Sequence, residues 1–449
     1  MAIDFTLTQD QKNLQKVARE FSVEVLGPIA AKADQEPDTQ KCFEMMKAPY
    51  KEAYKLGFAT GFLPKEYGGL GISNVDLQIV AEELCAVDPG FATIALINGL
   101  ALMPLSWFGT EEQKRKWLGE ACSDPTSEYL AAWTVSEPAG SPGGTANFDS
   151  PGLGPVGIGL TATHDKGRGE YVLNGKKYWP GNAGGWDLKG ANVNAVVVRT
   201  DQKKGGKSGL SIALVPRGTP GLTYAQPINK MAHRTSQNNE MTFENVRVPE
   251  ENIFAKGDGD LVISKTFTWS GPVAAIGSVG VARTAYEYVL NWSKTYTAGG
   301  AKPILNHQAI GYAMADVAMK IEACRAFAWK TAHYLDVHAN NGQAMGAMSK
   351  VLCGEIMMQS VFKAMQVMGV NSLDKKHPVE RLMRESIVFP LYDAGNLGMQ
   401  VRKIWGVMLD DSFDPRAFAN SDPIVFTKAM EGAGLEMDEP IRSKLVAAE

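Results

Sequence analysis

A single carboxylate, Asp393, stands in Phe389-Pro390-Leu391-Tyr392-Asp393-Ala394-Gly395-Asn396, between a bulky apolar run and a small-residue turn. Apolar neighbours strip water from a carboxylate and raise its pKa, which suits it to take a proton from carbon. The plainer reading is an Asp that ends a helix and caps a turn. Two further segments have the composition of a ligand cradle. Ser136-Glu137-Pro138-Ala139-Gly140-Ser141-Pro142-Gly143-Gly144 offers hydroxyls and bare backbone N–H groups, which can hold a phosphate or a ring carbonyl. Trp179-Pro180-Gly181-Asn182-Ala183-Gly184-Gly185-Trp186-Asp187 sets tryptophan beside glycine, which suits a flat aromatic ligand, although buried packing Trp is the commoner case.

Other chemistries find no support. Gly152-Leu153-Gly154-Pro155-Val156-Gly157 matches GxGxxG, but prolines flank and interrupt it and no helix follows, so it reads as a loop. There is no P-loop, GxSxG elbow or HExxH. The five cysteines and six histidines show no metal-ligand spacing, and an odd cysteine count does not suit a disulfide framework. They read as buried thiols of a reducing cytoplasm. The opening residues lack a basic and then apolar signal pattern, so cytoplasmic placement is the expectation. A net charge of −4 gives no nucleic-acid footprint. No run of 18 consecutive apolar residues is present, so no membrane span is expected.

These segments need positioning elements, and 449 residues can build two or three packed units. Residues 1–127 read as a helical domain. Gln9–Val25 and Val75–Ala86 have helical apolar spacing, with Glu82 and Glu83 on the opposite face. Pro64–Gly71 is a turn-rich interruption, and Thr110 is an N-cap candidate. Residues 128–250 read as a β domain, with two strands around an Asn174-Gly175 turn and further strands at Ala195–Arg199 and Leu210–Val215. Residues 251–410 return to helix in three long Ala/Met-rich stretches, Val273–Trp292, Ile310–Ala339 and Ala344–Val370, as in a bundle. Residues 411–449 read as an irregular tail.

In this order the segments resemble the acyl-CoA dehydrogenase superfamily of flavoproteins. Pro64–Gly71 looks like its Pro-x-Glu-Tyr-Gly-Gly-x-Gly turn, and Ser136-Glu137-Pro138 like its flavin-contacting loop. Lys230–Ser236 and Phe243–Asn252 look like the close of its β domain. Pro303-Ile304 with His307-Gln308, and Pro378–Arg381 with Arg384, look like its C-terminal bundle. The resemblance implies a mostly α chain with an N-terminal helical domain, a middle β-barrel-like domain and a C-terminal four-helix bundle. It also implies FAD in a homotetramer, with flavin contacts at Trp133, Val135, Ser136, Ser141, Trp179, Gly181, Asn182 and Asn396. Gln308, Gln366 and Gly369 would meet the adenosine half from a neighbouring subunit. Asp393 falls where the family keeps its catalytic Glu, and electrons would pass to an electron-transfer flavoprotein or to O2.

Within the superfamily the chain is most similar to the nitroalkane oxidase branch. That branch also uses Asp as base and has Ser where dehydrogenases keep a CoA-contacting Arg, here Ser270; Phe267 replaces that Arg's Asp partner. Three departures stand against either branch. Gln400 occupies the place of an Arg seven residues after the base, and Gly181 that of a flavin-facing hydroxyl. The Arg that anchors FAD phosphate near Pro303 has no clear counterpart in Thr297–Gly300. The shared chemistry is removal of a proton alpha to an electron-withdrawing group by Asp393. The leading expectation is acyl-CoA dehydrogenation to the α,β-enoyl-CoA. The alternatives are nitroalkane oxidation to a carbonyl compound and nitrite, and a non-catalytic flavoprotein of the same fold.

Overall fold

The computed structural model describes residues 5–139, 157–204, 209–410 and 413–421. Seven α-helices come first: α1 (Gln9–Glu20), α2 (Gly27–Ala33), α3 (Thr39–Glu44), α4 (Lys47–Lys55), α5 (Asn74–Val87), α6 (Pro89–Phe108) and α7 (Glu111–Cys122). Their starts are written locally. Thr8, Ser73 and Thr110 each close a capping box at α1, α5 and α7, satisfying otherwise orphaned N–H groups. Asp88 caps α6, with Pro89 at its first turn.

By length and composition α6 could cross a membrane, a possibility that counting unbroken apolar runs missed. In the structure 67% of its most apolar window is buried, and it serves as the core helix of the N-terminal unit. Glu82 and Glu83 also differ from expectation. Both are buried, because arginines from three other helical segments converge on α5. Arg283 and Arg325 reach Glu82 at 2.9 Å, and Arg19 and Arg283 reach Glu83 at 2.8 and 2.9 Å. Charges leave water only with such partners.

Eight strands follow among the described residues: β1 (Ala131–Thr134), β2 (Thr161–Asp165), β3 (Glu170–Gly181), β4 (Val193–Arg199), β5 (Leu210–Pro216), β6 (Leu222–Tyr224), β7 (Asn238–Pro249) and β8 (Ile253–Gly257). The sheet runs β6-β7-β3-β2-β4-β5-β8, with β1 parallel to β4. Asn174-Gly175 is not a hairpin turn. β3 runs straight through it, and the pairing with β7 shifts register between Leu173 and Gly175, where Gly175 takes φ +139°. One extra residue in one strand bends the ladder without ending it. The sheet continues past residue 250, since Ile253 and Phe254 pair with Ala213 and Ile212.

The bundle comprises α8 (Gly259–Ser293), α9 (Gln308–Val337), α10 (Gln343–Met368), α11 (Val379–Val388) and α12 (Val401–Met408), and α13 (Arg416–Asn420) closes the described chain. α8 and α10 meet backbone to backbone. A Cβ on Gly271 would lie 2.4 Å from the Gly346 carbonyl oxygen, and one on Gly346 would lie 2.5 Å from that of Thr268. This close approach brings Ser270 on α8 and Lys350 on α10 toward one point.

Candidate active site

That point is the turn after α11. Asp393 takes φ +50°, Ala394 +70° and Gly395 +51°, three successive left-handed residues of which only the last is glycine. Non-glycine residues there cost of order 1–3 kcal/mol each, so the surroundings must impose the conformation. The Ser270 hydroxyl faces both carboxylate oxygens of Asp393, 2.8 Å from Oδ1 and 2.9 Å from Oδ2. Gln400, fully buried, donates from Nε2 to the Asp393 carbonyl at 3.1 Å, while its own Oε1 is buried without a partner. Asn396 accepts from Lys350 Nζ at 2.8 Å and donates to Glu355 at 3.1 Å. Burial raises the Asp393 carboxyl above its usual range, against the pull of Lys350, the Ser270 hydrogen bond and Lys403. A carboxylate with this environment can take a proton from a weakly acidic C–H group.

A second cluster forms where β1 meets β3. The Tyr178 N–H donates to the Ser136 carbonyl at 2.8 Å. Lys177 Nζ donates to the Val135 carbonyl at 2.9 Å and to Glu137 at 3.1 Å, an ion pair whose two side chains are buried. Burial pushes the Lys177 ammonium down to about 8, although Glu137 opposes it. The pair fixes the chain leaving β1 against β3. Trp179 takes φ +74°, and Asn182 donates to the Ile94 carbonyl at 2.9 Å. Trp133, Val135, Ser136, Trp179, Gly181 and Asn182 therefore share this edge. Ser141 lies outside the described residues, as does most of the GxGxxG segment. Gln308, Gln366 and Gly369 are exposed on the bundle, and no described hydrogen bond joins them to either cluster.

α6 packs against β1 and β3 of the second cluster and against α8, which carries Ser270. A Cβ on Gly181 would lie 2.2 Å from Ile97 Cδ1, so Ile97 fills the space a side chain at 181 would need. Two residues on, a Cβ at Gly99 would strike the ring of Trp269, the neighbour of Ser270, at 2.4 Å.

Cofactor fit follows from the β1–β3 edge. Trp133 Nε1 and Asn182 Oδ1 are buried there with no partner, and Trp179 leaves 41% of its surface exposed. Orphaned polar atoms beside an open aromatic face suit a flat heteroaromatic ring. Acyl-CoA dehydrogenase family models match nearly the whole described chain: the N-terminal domain over residues 8–124, the middle domain over 152–246 and the C-terminal domain over 257–409.

The chain belongs to the acyl-CoA dehydrogenase superfamily.

It is a flavin oxidoreductase whose cofactor is FAD, and the fold is the one the motifs implied. Nitroalkane oxidase of Fusarium oxysporum is 29% identical over 436 residues, covering 92% of this chain and 97% of that protein. A crystal structure of nitroalkane oxidase with spermine, described as a competitive inhibitor, superposes with a TM-score of 0.86 at 28% identity, covering 94% of this chain and 100% of that one. Butyryl-CoA dehydrogenase of Megasphaera elsdenii superposes with a TM-score of 0.80 at 27% identity, covering 91% and 100%. This superfamily member thus resembles proteins of both chemistries.

Sequence reasoning missed Lys350 and Ile97. Lys350 had a signal, as a lone cation among Met345, Ala347, Val351 and Cys353. Ile97 had none, because only the packing of α6 against β3 reveals what fills the Gly181 site.

Proposed function

We propose that this flavoprotein oxidises a small carbon acid, with Asp393 as the base, and that the carbon acid is a nitroalkane rather than an acyl-CoA. The observation that carries this reading is the Ser270 hydroxyl set on both Asp393 oxygens. That serine stands where the dehydrogenases keep a CoA-contacting Arg, and here it is engaged with the base. Phe267, in the place of that Arg's acidic partner, is buried and lies under Lys403 Nζ at 5.9 Å from its ring centre. Neither side chain is arranged to grip a nucleotide.

In this reading the Trp133–Asn182 edge holds the isoalloxazine, and Gln308, Gln366 and Gly369 serve an adjacent subunit of a homotetramer. Exposed Tyr312, Phe362, Val370, Leu397 and Trp405 support such assembly. Asp393 removes the proton next to the nitro group, whose oxygens take up the electron pair. Ser270 holds the carboxylate toward that proton and favours its ionised form before the transfer. FAD, when bound, supplies the two-electron acceptor, so that with one water the products are a carbonyl compound and nitrite.

Gln400 and Gly181, with Ile97 filling the side-chain space at 181, depart from the patterns of both branches and favour neither substrate. Acyl-CoA dehydrogenation stays the second reading, carried by the likeness to butyryl-CoA dehydrogenase. Anaerobic mixing of the purified protein with nitroethane and with a panel of acyl-CoA thioesters separates the readings. Bleaching of the flavin by nitroethane, with nitrite released on reoxidation, is expected. Bleaching only by a thioester would replace the nitroalkane reading with the dehydrogenase one.

A further inference from the structure

The turn that carries Asp393 is tied at both ends by one buried side chain. Lys350 is 1% exposed, and its Nζ donates to the carbonyl of Phe389 at 3.1 Å and to Oδ1 of Asn396 at 2.8 Å. Those residues lie four before and three after Asp393. The ammonium also stands 5.9 Å from the centre of the Tyr392 ring, beside the base in sequence.

Both hydrogen-bond acceptors of Lys350 are neutral, a carbonyl and an amide oxygen. A buried cation needs compensating negative charge. Burial pushes the Lys350 ammonium down to about 8, and Asp393 and Glu355 are the two carboxylates whose fields oppose that. The relation is mutual, since the Lys350 charge is the largest influence favouring ionised Asp393. The groups that face Asp393 are Ser270 from α8, Lys350 from α10, Lys403 from α12 and Tyr392 on its own turn, with Glu355 of α10 acting on Lys350 and Cys85 of α5 on Tyr392. Lys403 weighs less than Lys350, and its Nζ donates to the Ser264 carbonyl at 3.2 Å. Gln400 holds the Asp393 backbone but carries no charge.

We propose that Lys350 is the positioning residue of the base, closing the strained turn from both ends and setting its ammonium beside the Asp393 carboxylate. This rests on Asp393 being the base and is independent of which carbon acid is oxidised.

The test uses the intact FAD-loaded protein with nitroethane and butyryl-CoA as probes. The rate of anaerobic flavin bleaching is followed against pH. Lys350→Met removes charge and tether, Lys350→Gln keeps an amide donor without the charge, and Lys350→Arg keeps the charge. Removing the cation raises the Asp393 pKa, so the acid limb should move to higher pH by about one unit in the Met and Gln variants. That is roughly a tenfold rate loss on the limb. Lys350→Arg should leave the limb in place. Infrared difference spectra should show the protonated carboxyl band of Asp393 persisting to correspondingly higher pH without any substrate. If the Met variant does not fold, the Gln and Arg variants carry the comparison. A folded, FAD-containing Gln variant with the wild-type limb and carboxyl titration overturns the proposal. Undiminished bleaching by Asp393→Asn is a different result, which overturns the base assignment itself.

Discussion

Glu385 and Asp393 lie eight residues apart at the end of the bundle, and burial raises both carboxyls, Glu385 to about 7. Their surroundings differ. Glu385 is 2% exposed, takes the backbone N–H of His233 at 2.8 Å and sits 3.7 Å from Arg381. Arg381 also grips Asp88 at 2.7 Å, and Asp88 caps α6. Every partner of Glu385 is structural, and together they lock the three units at their junction. Asp393 is only half-buried, in strained backbone, with a single hydroxyl on its two oxygens. A raised carboxyl pKa therefore does not by itself nominate a base. What separates the two is whether the oxygens are already committed.

The largest expected effect tests that separation. Asp393→Asn should slow flavin bleaching on the order of 10³-fold, within the range of a lost general base, while FAD stays bound. Glu385→Gln should leave the bleaching rate within a few-fold. Stopped-flow absorbance on both variants checks this, and an equal loss in the two would erase the distinction.

Next is the junction. Arg381→Met strands Asp88 and Glu385 as buried carboxylates, which costs roughly 3–5 kcal/mol in stability. Because the Glu385 carboxyl titrates at about 7, it is mostly neutral at pH 6 and ionised at pH 8. The loss should therefore be smaller at pH 6 than at pH 8 in urea titrations. A pH-independent loss would mean that Glu385 stays ionised throughout.

Much of this was legible in the residues. The Asp393 turn, the capping residues and the helix–sheet–helix order follow local rules, and the FAD reading followed from motif order. Ser270 was singled out by position, and its contact with Asp393 follows from the glycines that let α8 touch α10. The misses share a cause. Glu82 and Glu83 look like a solvated face until arginines from distant segments meet them, and Asn174-Gly175 looks like a hairpin until β7 pairs across it. Lys350 and Ile97 act only through contacts distant in sequence, which local periodicity does not encode.

A smaller effect sharpens how Asp393 is tuned. The Ser270 hydrogen bond favours the ionised carboxylate, so Ser270→Ala should raise the Asp393 pKa and move the acid limb of bleaching to higher pH by about one unit. The KM for nitroethane should change little. A change in KM for a thioester with an unmoved limb would instead assign Ser270 to substrate binding.

The smallest effect is one of stability, and it is opposite in sign to the effect on chemistry. The Asp393 carboxyl is raised by burial, so the folded protein holds that proton more tightly than the unfolded chain does. Its favourable contribution is complete below the ordinary carboxylate range and is lost as pH rises through the folded value. Above that value the ionised Asp393 is a net cost, which Ser270 and Lys350 reduce but do not remove. Asparagine behaves like the protonated acid at every pH, and it tolerates φ near +50° about as well as aspartate. Asp393→Asn should therefore be more stable than the parent at pH 8, with the difference shrinking toward zero at pH 3, below the ordinary carboxylate range. Urea titrations at the two pH values measure this. A variant less stable than the parent at pH 8 would mean that Ser270 and Lys350 outweigh the cost of burial, placing the Asp393 pKa below the ordinary value.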